Sequence, residues 1–213
     1  MFGSHELKTQ FIKVHGIKIH LLEDGEFVRY RRGEVTRAIK RTPGGRITLL
    51  PAPATGYGVG LLMIRLKSPL VVPPGERVEG YVSAPVELDV RVGGLSIDRF
   101  SLTREKYALY GTIETGAIAR YWISDFSEKE PESVCVAKLS VVNVSTDWKA
   151  IDKVVFPING STMYYRGDRA YYPLITVKLG NGFPEIDNTG RAPEDNLVRV
   201  GKLKDFPDFL MRW

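Results

Sequence analysis

The segment from Arg29 to Arg46 holds the chain's densest concentration of groups able to do chemistry. Arg29, Arg31, Arg32, Arg37, Lys40, Arg41 and Arg46 stand there against a single acid, Glu34. Seven bases less one acid give a local charge of +6, above the +5 of the whole chain. Such a run attracts phosphate by releasing counterions, mostly without reading base sequence. The chemistry it points to is the binding of nucleic acid or another polyanion. Tyr30 is the only aromatic in the segment, so platforms for base stacking are few. Alternation along a strand sets Arg29 and Arg31 on one face and Tyr30 on the other. The plainer reading is a solvated strand face and loop, or a charged edge that deters unwanted pairing.

Tyr164, Tyr165, Tyr171 and Tyr172 form a second cluster, flanking Arg166 and Arg169. In paired strands they put two tyrosines on each face, where they either pack across the sheet or meet another subunit. A subunit contact is the functional alternative to packing within the fold. The intervening Arg166-Gly167-Asp168 reads as a hairpin turn and not as an adhesion tripeptide.

Other candidates for chemistry are thinner. His5, His15 and His20 lie near the N-terminus, and His15 and His20 have opposite strand parity, so no metal site is expected. Gly56-Tyr57-Gly58-Val59-Gly60 has the wrong third-glycine spacing for a dinucleotide loop and no strand–turn–helix around it. Cys135 is the only cysteine, which excludes an intrachain disulfide and a cysteine-based zinc site. Its apolar neighbours Val134, Val136 and Ala137 mark it as a small buried side chain. Asp89, Asp98 and Asp125 are carboxylates that a sheet fold can bring together. No nucleophile elbow, His-Glu-x-x-His or phosphate-binding lysine loop is present, and no cofactor is expected.

The elements that must position these groups are strands. Short alternating runs, broken by Gly and Pro every eight to twelve positions, recur from Phe11 to Val200. Phe11–Val14 and Ile17–Leu22 flank a His15-Gly16 turn, and Asp24-Gly25 reads as a type I′ turn before Glu26–Arg31. Arg46–Leu50 runs into Pro51 and Pro53. Val59–Leu66 suits a strand buried on both faces, whereas Arg77–Val82 and Val86–Val92 should each keep one solvated face. Ser101–Tyr110 is ambiguous, with a short helix from Ser101 left open. Ile118–Ile123, Val134–Val144 and Lys153–Phe156 are strands. Tyr171–Leu179 is another, with Pro173 marking an edge or bulge.

These runs predict an all-β fold: a mostly antiparallel two-sheet sandwich, jelly-roll-like or irregular, with at most one or two short helices. At 213 residues a single domain over residues 1–213 is expected, its aromatic segment 206–213 docked on the body or on a partner subunit. No apolar stretch reaches the ~18–20 residues of a membrane helix. The first residues lack a signal peptide's basic start and apolar run, so a cytoplasmic protein is expected. Glutamine occurs once and asparagine five times among 30 basic and 25 acidic residues, a thermophile-like balance that a melting curve can test.

Lys106-Tyr107-Ala108-Leu109-Tyr110-Gly111-Thr112-Ile113-Glu114-Thr115-Gly116-Ala117-Ile118-Ala119-Arg120-Tyr121 resembles an archaeal family of uncharacterised proteins, a domain of unknown function. Met1-Phe2-Gly3 and the strand–Gly–strand pattern through Tyr30 are similar as well. The resemblance implies an archaeal source and supplies no catalytic residues. The expectation for function is a non-enzymatic binding or scaffolding protein that self-associates as a homo-oligomer. Nucleic-acid or anion binding through residues 29–46 is the first alternative, and an enzyme with dispersed carboxylates the second.

Overall fold

The computed structural model describes residues 2–201, and every regular element in them is a strand. The aromatic segment 206–213, expected to dock, lies outside the described residues. Strand β1 (Gly3–Glu6) precedes a meander of β2 (Gln10–Val14), β3 (Ile17–Asp24), β4 (Phe27–Arg32) and β5 (Val35–Lys40). Next come β6 (Arg46–Pro53), β7 (Leu61–Val72), β8 (Arg77–Ser83), β9 (Val86–Val92) and β10 (Leu95–Ser101). The hairpin of β11 (Tyr107–Tyr110) and β12 (Ala117–Ser124) leads to β13 (Cys135–Asn143) and β14 (Lys149–Pro157). Five shorter strands follow: β15 (Tyr164–Arg166), β16 (Arg169–Tyr171), β17 (Ile175–Leu179), β18 (Glu185–Asn188) and β19 (Val198–Arg199).

Where two sheets were expected, the described residues form four, mostly antiparallel, and one curls strongly into a half-barrel. Their orders are β1-β6-β9-β10, β11-β12-β7-β14, β2-β3-β4-β5, and β18-β17-β13-β16-β15-β19 with β8 on the other edge of β13. Among the described residues, parallel pairing is confined to β12 on β7 and to β16 and β17 on β13. One contiguous apolar cluster draws on every sheet, with Ile19, Leu49, Leu62 and Leu139 among its buried members.

Turn chemistry sets the meander's register. His15 (φ 45°) and Gly16 (φ 87°) both take left-handed backbone, as a type I′ turn demands. The next turn sits one residue later than Asp24-Gly25. Asp24 pairs with Phe27, and Gly25 (φ 60°) is the first of two central residues, the type II′ pattern. Alternation then sends Ile12, Val14, Ile19, Leu21, Val28, Tyr30 and Ile39 into the core. Tyr30 Oη donates to Asp98 Oδ2 at 2.6 Å, and Arg32 donates to both Asp98 oxygens at 2.7 and 3.1 Å. Those bonds tie the meander to β10.

Several expectations are corrected. The helix left open from Ser101 is absent; β10 ends there and β11 begins at Tyr107. The basic stretch after Arg32 contains strand β5. Strand β6 continues through Pro51 and Pro53, because β1 pairs with it only as far as Leu49 and leaves that edge free. Strand β9 has no solvated face over Val86–Val90, since Glu87 and Asp89 are buried along with their apolar neighbours. Pro173 interrupts a strand instead of bulging it: β16 and β17 lie on the same edge of β13, on either side of the break.

Candidate nucleic-acid interface

The outward face of the meander gathers side chains from separate parts of the chain. Cross-strand register sets Lys13 beside Lys18, and Phe11 beside His20, which in turn neighbours Arg31. Leu22 adjoins Arg29, and Phe27 lies between Asp24 and Lys40. All of these side chains are exposed. Strands are about 4.8 Å apart and alternate residues about 6.8 Å, so the face is a grid of aromatic and cationic groups. Phe11 is 76% exposed and Phe27 43%, and Leu22 between them is 56%. The Phe11 ring meets His20 edge-on, with centroids 4.6 Å apart. Two large exposed rings on one sheet face leave apolar area that a stacking partner would cover.

Five cations lie on this face, Lys13, Lys18, Arg29, Arg31 and Lys40, with Asp24 the acid among them. Arg29 bonds Asp24 at 2.6 Å and Lys40 approaches Glu26 at 3.9 Å, but all four side chains are at least half exposed. Such surface pairs are worth roughly 0–1 kcal/mol, so an incoming phosphate can displace them. Arg31 Nε donates to the Gly33 carbonyl at 3.4 Å.

The structure divides the basic segment that the sequence presents as one run. Arg29, Arg31 and Lys40 reach the outer face. Arg32 turns inward onto Asp98 and over the Phe100 ring, 4.0 Å from its centroid. Arg37 pairs in register with buried Tyr30, placing it on the inner side of edge strand β5. Arg41 bonds Glu23 at 2.9 Å, and Arg46 donates to Ser4 at 2.7 Å. Sequence reasoning missed Lys13, Lys18, Phe11 and Phe27. Strand parity alone would have put Phe11 and Lys13 on one face, but the register that brings β4 beside them is a tertiary fact.

The tyrosine cluster is packed inside the chain. Tyr164, Tyr171 and Tyr172 are buried, and Tyr165 rests half-buried with its ring 5.9 Å from that of Phe2. Tyr172 Oη donates to the Pro85 carbonyl and accepts from the Ala54 amide, both at 3.0 Å, and burial pushes its hydroxyl pKa well up. Tyr164 Oη donates to the Gly190 carbonyl at 2.8 Å. Tyr164 and Tyr171 are cross-strand partners that share a small buried cluster with Val136, whereas Tyr172 joins the main core.

The three dispersed aspartates do not converge. Asp89 is buried against Arg91 at 2.6 Å, whereas Asp98 takes Tyr30 and Arg32 on the opposite face of the same sheet. Asp125 is an exposed partner of Lys67 at 2.6 Å. Cys135 is wholly buried, and desolvation drives its thiol pKa far above the ordinary range. His15 occupies its turn, while His20 belongs to the outer face beside Phe11.

The fold and this face describe an all-β protein with an exposed aromatic and basic sheet. Residues 1–212 match the family described as protein of unknown function (DUF432), and the chain belongs to that family. The resemblance carried by Lys106–Tyr121 therefore extends over the whole chain. No curated protein matches it, and no solved structure does.

Proposed function

We propose that the chain is a non-enzymatic binding protein that holds single-stranded nucleic acid on the outer face of the β2–β5 meander. The observation that carries this reading is that Phe11, His20 and Phe27 share one exposed face with Lys13, Lys18, Arg29 and Arg31. Unpaired bases stack on exposed rings, and the flanking cations take the backbone phosphates. Stacking tolerates any base, so little sequence preference is expected. Duplex bases are already stacked and offer the rings nothing. The reading treats the chain as one domain of stacked sheets, supported by the large apolar cluster to which all four contribute.

Fluorescence anisotropy tests the proposal with a labelled oligothymidine and a duplex of equal length. The expected result is tighter binding of the single strand, weakening steeply as salt is added. Equal affinity for the duplex, or affinity indifferent to salt, would reject it.

Self-association is a second reading, favoured by the β11–β12 hairpin. Leu109, Tyr110, Ile113 and Ile118 are all exposed there, and β11 is an edge strand. An oligomer in light scattering that Ile113→Lys and Ile118→Lys dissociate supports it; a monomeric parent protein removes it.

A further inference from the structure

We infer that a second ligand site, for a neutral polyhydroxylated molecule of saccharide type, lies beside the loop from Gly56 to Gly60. Two hollows of about 460 and 410 Å³ share Thr55 and Arg99 as lining residues. Each is of the size a small ligand occupies. Their floor comes from β9 and β10. Alternation places Glu87 and Asp89 on one face of β9, where they are 3% and 1% exposed, and Arg99 stands opposite Asp89 on β10.

Each acid at these hollows has a guanidinium partner, including Glu105, which lies 3.6 Å from Arg120 Nη1 and accepts from Tyr107 Oη at 3.1 Å. Glu87 accepts from Arg99 Nε and from the Gly56 amide, both at 2.6 Å. Asp89 accepts from Arg91 Nε at 2.6 Å and from Ser96 Oγ at 2.5 Å. Arg99 Nη2 donates to the Pro53 carbonyl at 2.7 Å and to Thr55 Oγ1 at 2.9 Å, and Nη1 carries none of these bonds. Three carboxylates, Glu87, Asp89 and Glu105, against three guanidiniums, Arg99, Arg91 and Arg120, leave no net field to draw an anion, unlike the meander face. Glu87 and Asp89 lie too deep to meet a ligand themselves, but Arg99 and Glu105, 35% and 36% exposed, present a donor and an acceptor side by side, which suits hydroxyl groups because each both donates and accepts.

The aromatic component is Tyr57. It is 90% exposed, held between Gly56 (φ 50°) and Gly58 (φ 86°), and its ring lies 6.4 Å from that of Tyr107. A side chain on Gly56 would collide with the Tyr107 hydroxyl, so glycine is what lets the loop lie against that residue. An exposed ring above a floor of polar pairs matches a sugar, which has one C–H face and a rim of hydroxyls. This explains the glycine-rich loop without phosphate or dinucleotide chemistry.

Saturation-transfer NMR on the full chain tests the site with maltotriose, cellotriose and N-acetylchitotriose, and with inorganic phosphate as competitor. At least one trisaccharide should bind and resist displacement by phosphate. Tyr57→Ala should weaken it about tenfold, the upper reach of one aromatic contact. Tyr57 is exposed, so this variant keeps its melting temperature, and Phe11→Ala on the meander should leave sugar binding unchanged. Failure of all three sugars, displacement by phosphate, or full affinity in Tyr57→Ala overturns the inference.

Discussion

Replacing Arg29 and Arg31 together by alanine should change how strongly salt weakens binding, and the size of that change follows from the structure. The outer face carries five cations, Lys13, Lys18, Arg29, Arg31 and Lys40. If each neutralises one phosphate of a single strand, the slope of log affinity against log salt is about −3.5, at about −0.7 per contact. Removing two contacts brings it to about −2.1. Between about 50 and 200 mM salt the parent protein should then lose affinity about 100-fold and the variant about 20-fold. Both side chains are exposed, so stability should move by no more than about 0.5–1 kcal/mol, part of it the lost Arg29–Asp24 pair. The assay is anisotropy of labelled oligothymidine over a salt series. Arg37→Ala with Arg46→Ala is the matched control, since it removes the same charge from the same stretch of sequence but off the face. A slope unchanged in the Arg29/Arg31 variant would refute the reasoning because these cations would then meet no phosphate, and a slope lowered equally by the control pair would refute it because net charge and not the face would then govern binding.

Phe11→Ala and Phe27→Ala should each cost about 1–3 kcal/mol of binding to the same oligonucleotide while leaving the salt slope in place; a changed slope would contradict a stacking role. For Asp98, burial by itself would raise the carboxyl pKa, but hydrogen bonds from Arg32 and Tyr30 outweigh it and hold the pKa below the ordinary 3.8. Its contribution to stability is thus complete above 3.8 and lost as pH falls through the lower folded value. Asp98→Asn should cost about 2–3 kcal/mol at neutral pH, under the range for a fully buried pair because Arg32 keeps 24% exposure. It should also flatten the acid limb of urea-denaturation stability against pH, and a limb as steep as the parent's would count against the linkage. Cys135, with burial pushing its thiol pKa up, should react with a thiol reagent only on unfolding, so prompt labelling of the native chain would contradict its placement.

Strand character was legible wherever one face of a strand is wet. The β2–β4 run, the His15-Gly16 turn and the hairpin at Gly167 could all be read from alternation and turn residues, because period-two burial and positive φ leave local marks. Strand β9 could not be read correctly. Its Glu87 and Asp89 look like a solvated face; Arg91 on the same strand pairs Asp89, but it is Arg99 and Ser96 from β10 and the Gly56 amide, all placed by the tertiary fold, that complete the bonds allowing both carboxylates to be buried. Strand β5 was hidden among its cations for a related reason: an edge strand on a solvated sheet tolerates charge on both faces.

The amino-acid order by itself determined that the chain is built of strands, that Cys135 is buried, and that positive charge concentrates between Arg29 and Arg46. Periodicity and composition act over a few residues and are written locally. Tertiary structure alone decided which charges face outward together. Register across β2, β3 and β4 joins Phe11, His20 and Arg31 in one row, while the Asp98 carboxylate draws Arg32 away to the interior. Pairing between strands depends on hydrogen bonds and burial summed over the whole sheet, and no local stretch of sequence carries that sum.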